Sequence, residues 1–449
     1  MINKTELEIM ESWNGDNKKP LVSICALSYN HEQYIEEALD SFLMQKTNFA
    51  FEVIIHDDAS TDETQLVIER YKNKFPNIIK AILQTENQYS KGNRPSLLVL
   101  KEVRGEFVAL CETDDYWCDP YKLEKQVSLL KEYTDINISF HTSIRHNIVE
   151  NTKYITGDIL KVIDCMGENV FNYKNTADLT YGYVKNKEFN KSYCVIAPLE
   201  NIILKSFYGY IENSSCLLRS SMIDKLLKLF KEHPYLPFGD FYIQILSSYP
   251  NGALFVNNVM SVYRLNSTPT SYTWQLQDKK KKALHYNKFL PTIKLLDQMT
   301  KYEFTDSFNI FFHKRMYSAY CESLSNCIWY KDYMFLFKKV IIKLKNTGLN
   351  YILFGYGFYG KSIYKELDIK IDFVIDKYLT PELFIVPNKV LDINNESDIY
   401  KLKNSKEQII ISPIANTEEV VVLLSRLGIS KTRMVNLLDL LPNYLTVLK

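Results

Sequence analysis

Through its first third the chain alternates short apolar runs with polar loops and stretches of helical period. Leu21-Val22-Ser23-Ile24-Cys25-Ala26 reads as a strand that runs into Ser28-Tyr29-Asn30-His31, and Tyr34, Ile35, Ala38, Leu39 and Phe42 follow at helical spacing. Phe51-Glu52-Val53-Ile54-Ile55 reads as a second strand, ending in His56-Asp57-Asp58-Ala59-Ser60-Thr61-Asp62. Ser60 and Glu63 then have capping-box spacing for a helix with Leu66, Val67 and Tyr71 on its inner face. Phe107-Val108-Ala109-Leu110-Cys111 is a third apolar run, leading into Glu112-Thr113-Asp114-Asp115. Asp119-Pro120 supplies cap and first-turn signals for a helix through Leu123, Val127 and Leu130. Strand, polar loop and helix in repetition predict an α/β fold, a parallel sheet with helices on its faces. Ligands bind such sheets at the carboxyl ends of the strands, where these three polar loops fall.

The third loop carries the most chemistry. Glu112, Asp114 and Asp115 crowd like charges that raise one another's pKa unless a metal or a cationic partner holds them ionised. Hard oxygen ligands at a strand end suit Mg²⁺ or Mn²⁺ carrying a phosphate-bearing substrate. The competing reading is a solvated turn before a helix cap. Asp119 can serve that cap, which leaves the other three acids without a structural task.

Further along, Ile138-Ser139-Phe140-His141 reads as a strand, and the pattern from Asn151 to Lys191 loosens into polar and aromatic residues such as Tyr173, Tyr181 and Tyr183. From Gln275 to Lys345 the period turns helical, with a basic run at Lys279 to Lys282. Phe335, Leu336, Val340, Ile341 and Leu344 alternate there with Lys338, Lys339, Lys343 and Lys345, a pattern for an inter-domain helix or, alternatively, for peripheral contact with an anionic membrane surface. After Gly348, Tyr351 to Phe354 leads into Gly355-Tyr356-Gly357-Phe358-Tyr359-Gly360, and a strand Phe373-Val374-Ile375 ends at Asp376. Those glycines allow a tight strand-to-helix turn, and with Gln408 to Ser412 and Thr417 to Leu427 they predict a small Rossmann-like unit. The expected division is therefore 1–275, a helical linker region at 276–346, and a C-terminal Rossmann-like domain at 347–449.

In this order the residues resemble the inverting nucleotide-sugar glycosyltransferases of family 2, which have the GT-A fold. Pro20 to Asn30 is similar to their opening strand and nucleotide loop, Val53 to Asp62 to their second, "V-D-D-G-S-T-D", and Glu112-Thr113-Asp114-Asp115 stands in the place of their D-x-D metal motif. Ala59 stands where glycine is usual, and Glu112 where the first aspartate is usual. Asn213 to Arg219, Leu236 to Phe241 and Val259 to Arg264 follow the order seen in bacterial surface-glycan members.

The resemblance implies a role for each matching position. Asp240, after Gly239, would be the base that takes the acceptor hydroxyl proton during inversion, the alternative being a turn and helix cap. Asp114 would ligate Mn²⁺ or Mg²⁺, with Glu112 or Asp115 completing the shell or contacting ribose, and Thr113 would lie among the nucleotide contacts. Asp57 or Asp58 would hydrogen-bond the base, uracil offering its N3–H, while Ser28, Tyr29 and Asn30 would line the nucleotide pocket. Arg264, next to the segment Leu265 to Trp274, would reach the diphosphate or else form a structural ion pair, and Arg94 is a further candidate contact. The implied partners are a nucleotide-sugar donor, UDP-linked and carrying a hexose or N-acetylhexosamine, and a glycan, lipid-linked or protein acceptor in lipopolysaccharide, capsule, teichoic-acid-like polymer or flagellin.

Composition narrows the field. At 449 residues, 46% hydrophobic and formally +1, the chain has ample core material and no charge excess that would attract nucleic acid. It opens with no signal-peptide pattern and holds no bilayer-length apolar run, so the expected location is the cytoplasm or the inner face of the membrane. The eight cysteines form no C-x-x-C pair and read as reduced core thiols, and the seven histidines form no ligand pair, although His31 and His56 lie in the nucleotide loops. An NAD-dependent oxidoreductase would explain the C-terminal glycines but not the acidic cluster, and a non-catalytic nucleotide-sugar-binding protein would not need Asp240. The C-terminal unit is a candidate interface for a homo-oligomer or for ligand sensing.

Overall fold

The computed structural model describes residues 3–156, 182–185, 193–205, 211–233, 236, 239–321, 339–340, 342–344, 346–349, 351–354, 371–375, 389–391, 396–411 and 417–436. They divide into two compact units, 1–277 with 298–301, and 278–297 with 302–449. The first unit opens with a short helix, α1 (Glu6–Met10), and then alternates β1 (Val22–Ser28), α2 (Ile35–Leu43), β2 (Phe51–Asp57), α3 (Thr64–Lys74), β3 (Ile79–Leu83), α4 (Pro95–Leu100) and β4 (Phe107–Leu110). The predicted crossovers give a parallel arrangement β3-β2-β1-β4, buried on both faces, which is why these strands read as nearly continuous apolar runs. Beyond β4 the sheet becomes mixed. β10 (Leu217–Arg219) runs antiparallel to β4 and to β6 (Ile138–Asn147), and the long β11 (Ala253–Leu265) pairs parallel with β6. β5 (Tyr116–Trp117) is paired to β11 rather than to its own neighbour β4, so the residues between β4 and β5 turn across the carboxyl edge of the sheet. β7 (Thr152–Thr156), β8 (Gly182–Lys185) and β9 (Tyr193–Ala197) complete the eleven strands.

The helices pack as their periodicity demands. Ile35, Ala38, Leu39 and Phe42 of α2 are wholly buried, and Phe42 meets Trp117 edge-to-face with ring centroids 4.9 Å apart. Burying a side chain of this size contributes roughly 1.5–3 kcal/mol, with about 0.5–1.5 more from the ring pair. In α5 (Lys122–Glu132) Leu123, Val127 and Leu130 face the core as expected, and Lys122 joins them, fully buried over the Trp117 ring with its amine on Gln126 Oε1 at 2.8 Å. Burial pulls that amine down to about 7.

Three local expectations need correction. The capping box of Ser60 and Glu63 does not form, because the Ser60 hydroxyl bonds Asp57 and α3 begins at Thr64 without a side-chain cap from Glu63. Leu66 is 64% exposed, and Ile68 takes the inner position with Tyr71. Asp119 receives the amide of Tyr121 at 2.8 Å, so it caps a turn that precedes α5 rather than α5 itself.

In the second unit the helices Lys279–Asn287 and Thr305–Cys321 are joined by an aromatic cluster in which Phe289 contacts Tyr286 and Phe311 at 5.8 Å each. Its five-stranded sheet, β12 (Tyr351–Phe354), β13 (Ile371–Ile375), β14 (Lys389–Leu391), β15 (Gln408–Ile411) and β16 (Met434–Asn436), is parallel throughout in the order β14-β13-β12-β15-β16. That is the Rossmann-like arrangement, packed on a core of Ile352, Leu402, Ile409 and Leu424. Gly355 to Gly360, Asp376, Tyr173, Tyr181 and most of the amphipathic stretch 335–345 lie outside the described residues. No helix among the described residues is long and apolar enough to cross a membrane.

Candidate active site

The carboxyl ends of β1, β2 and β4 lie side by side, with Ser28 in register with Asp57 and the amides of Cys111 and Thr113 carried on to the carbonyls of Cys25 and Leu27. The first two loops clasp each other. Asn30 sits in the left-handed region at φ 57°, a conformation its type tolerates, and its amide donates to Ser60 Oγ at 2.9 Å while its side-chain oxygen accepts from Thr61 N at 2.8 Å. Asp57 accepts from Ser60 N at 2.9 Å and from Gln65 Nε2 at 2.6 Å, and Asp58 accepts from the amides of Gln88 at 2.7 Å and Tyr89 at 3.0 Å. Both aspartates are buried. These bonds set the shapes of the loops, and each Asp58 oxygen, with a single amide on it, keeps a lone pair for a further donor. Ser28 and His56 are buried as well, and the Ser28 hydroxyl and both His56 ring nitrogens have no hydrogen-bond partner among the described residues.

The third loop supplies two different environments. Thr113, expected among the nucleotide contacts, turns inward and is fully buried, its hydroxyl 3.1 Å from the Leu27 carbonyl and 2.8 Å from His31 Nδ1. Asp115, expected in the metal shell, is 1% exposed and accepts the amide of Arg264 at 2.8 Å, and burial first and Asp114 second push its carboxyl well up. It pins the loop to β11. Arg264 is a clamp: its guanidinium lies 4.7 Å from the Tyr34 ring and 4.6 Å from the Tyr116 ring, pairs with Glu37, and holds the Asp114 carbonyl. Arg264 also lines the cavity that Glu112 and Asp114 face, so the ion pair does not withdraw it from a diphosphate contact.

Glu112 and Asp114 face outward into a cavity of about 180 Å³ with Tyr29, His31 and Tyr263. The Asp114 carboxylate takes one hydrogen bond, from Ser267 Oγ at 2.7 Å, and has His31 Nε2 at 4.0 Å. Glu112 also lines a second, smaller cavity with Asn213 and Asp240. Asp240 stands in the first turn of the helix Gly239–Ser248. Asn213 beside both acids favours their ionised forms; burial, then Asp114 and Asp240, nevertheless push Glu112 up to about 8. Asp240 remains open to solvent, but the protein around it strips enough hydration to raise its carboxyl, with Arg94 pulling the other way. Arg94 stacks on Phe230 at 4.6 Å and lies against Gly239, where an added Cβ would sit 3.7 Å from its Nη1. The structure thus moves Arg94 from the nucleotide to the Asp240 side.

Among the described residues no three His, Cys, Asp or Glu side chains form a closed metal shell. Asp114 and Glu112 fit a hard divalent cation in another way, as one or two carboxylates facing a cavity, with phosphate oxygens and waters left to complete the sphere. Sequence reasoning missed Ser267, Tyr263 and the 270–273 segment, which line or hold this cavity; the Thr-Pro-Thr-Ser-Tyr-Thr run after β11 carries no residue type that marks a site.

An acidic strand-end site on a sheet of this order is the GT-A arrangement. Residues 23–187 match the family model described as Glycosyl transferase family 2. Over 120 residues, 27% of this chain and 34% of the relative, it is 48% identical to an uncharacterized protein of Mycobacterium tuberculosis. Over 97 residues, 21% of this chain and 16% of the relative, it is 39% identical to the poly(ribitol-phosphate) beta-N-acetylglucosaminyltransferase TarS of Staphylococcus aureus. The chain therefore spans well under half the length of either relative. A crystal structure of TarS 1–349 in complex with UDP-GlcNAc is similar at a TM-score of 0.41 and 19% identity, covering 66% of this chain and 72% of that one.

Proposed function

We propose that the first unit transfers a hexose or N-acetylhexosamine, with inversion, from a UDP-linked sugar to a bacterial surface-glycan or glycoprotein acceptor, working in the cytoplasm where such donors are made. The observation that carries this reading is the placement of Asp114 and Asp240 in two cavities that share Glu112 as a lining residue. A donor whose diphosphate lies by Asp114 carries its sugar past Glu112 and presents the anomeric carbon toward Asp240. Asp240 takes the acceptor hydroxyl proton as that oxygen attacks, and the nearby charge of Arg94 favours the ionised carboxylate that this requires. Tyr29 offers an aromatic wall to the nucleotide. Mn²⁺ or Mg²⁺, held by Asp114 and Glu112, would supply charge neutralisation for the departing diphosphate. The likeness to TarS, whose name specifies an N-acetylglucosamine transferred to a polyol-phosphate polymer, supports the donor class and the choice of a surface-polymer acceptor.

The test is a hydrolysis screen of UDP-, GDP- and dTDP-sugars with and without Mn²⁺, using wild type and Asp114→Ala. Metal-dependent release of one nucleotide, lost in the variant, is the expected result. Release that ignores both the metal and the substitution would overturn the assignment of the acidic loop, and failure to consume or bind any nucleotide sugar would overturn the function.

A further inference from the structure

Between α4, the ends of β1 and β4, and the helix Gly239–Ser248 lies a cavity of about 50 Å³ whose walls are the apolar side chains of Leu27, Val99, Leu100, Leu110 and Ile243. One water needs on the order of 10–15 Å³, so there is room for roughly three to five water-sized groups. A second sugar ring does not fit; a short substituent does. The polar lining of the same cavity is Ser96, Glu112, Asn213 and Asp240, and the proposed function carries the donor sugar past Glu112 toward Asp240. A sugar in that position turns one of its substituents against the apolar wall. Against the five apolar side chains a hydroxyl would lose its hydration, and only Ser96, Asn213 or the two acids could replace it, whereas a methyl would be taken out of water at about 25 cal/mol per Å².

We infer that this cavity selects a donor sugar bearing a methyl-terminated substituent, an acetamido group or a 6-deoxy methyl, over the plain hexose. The inference rests on the proposed function and adds the substrate class to it. Ser96, half-buried in α4 and lining the cavity, is the position from which the cavity can be filled with least disturbance of the core.

The experiment is equilibrium titration of the full chain, with Mn²⁺ present, by UDP and dTDP and by two donor pairs, UDP-N-acetylglucosamine against UDP-glucose and dTDP-rhamnose against dTDP-glucose. One pair is expected to separate by about tenfold or more in favour of the methyl-bearing sugar, the range a single apolar contact supports. The two pairs distinguish the acetamido from the deoxy source. Ser96→Leu is expected to lower affinity for the preferred donor at least tenfold, to erase the preference, and to bind the free nucleotide as wild type does; Ser96→Ala keeps the preference. Equal binding within twofold in both pairs, with the free nucleotide bound, overturns the cavity's role and leaves the proposed function standing. A preference that survives in a folded Ser96→Leu, verified by its melting temperature, also overturns it. Absence of binding by every nucleotide and donor overturns both.

Discussion

The two ends of β1, β2 and β4 both bury carboxylates, and they treat them oppositely. At the amino end Glu52, 2% exposed, accepts from Ser23 Oγ at 2.6 Å and from Arg104 Nε at 2.8 Å, while Gly105 donates its amide to the same serine at 2.9 Å. A Cβ on Gly105 would lie 2.7 Å from Ser23 N, so only glycine lets the chain approach closely enough to close this network. At the carboxyl end Glu112 and Asp114 face cavities, and no lysine or arginine among the described residues is ion-paired with either side chain. A buried carboxylate is costly unless it is paired. Where the fold supplies the partner the acid is structural; where it withholds one, a cationic or hydroxylic ligand has something to gain by arriving.

The largest effect that would sharpen this contrast is expected from Asp240→Asn. Removing a positioned base lowers donor turnover by about 10²–10⁴-fold. The melting temperature should hold or rise, because Glu112 loses a repelling neighbour. Steady-state kinetics beside a thermal melt measure both, and turnover within threefold of wild type would remove Asp240 from the role.

The opposite signature is expected at the other end. Glu52→Ala strands the Ser23 hydroxyl and frees Arg104, costing about 2–3 kcal/mol, somewhat less than a fully buried pair because the Arg104 side chain is 56% exposed and returns to water. Chemical denaturation should show the loss while kcat of the folded fraction stays within twofold. If kcat instead fell as far as in Asp240→Asn, the two ends could not be regarded as separate.

The same contrast explains what was legible in the sequence. Apolar runs and helical spacing specify β1 to β4 and their helices because burial on both faces leaves no other pattern for these residues. Glu112 and Asp114 stand out in the sequence because acids at a strand end lack a structural reason, whereas Asp240, in the first turn of a helix, stands out only through the family resemblance. Asp57, Asp58 and Asp115 are likewise acids at these strand ends, and only hydrogen bonds from Ser60, Gln88 and the Arg264 amide distinguish their surroundings. For Asp58 and Asp115 the partners lie 30 and 149 residues away and leave no local spacing to read. Lys122 is the extreme case: nothing in its neighbourhood announces a lysine wholly inside the core.

The smallest effect tests the loop between these ends. Ala59 holds φ at 61°, the left-handed region that costs a residue with a Cβ about 1–2 kcal/mol. Ala59→Gly relieves that strain but adds about 0.4–1 kcal/mol of unfolded-chain freedom, so the net gain should lie between about 0 and about 1.6 kcal/mol, seen as a small rise in melting temperature. The loop's shape is held by Asp57 on the Ser60 amide and by Asn30 on Thr61, not by the alanine methyl, so nucleotide affinity should stay within twofold. A fall in stability would mean that the Cβ packs usefully. A fall in affinity alone would mean that the alanine's restriction preorganises the loop, and the clasp between the first two loops would then belong with the ligand-poised side of the comparison rather than the structural one.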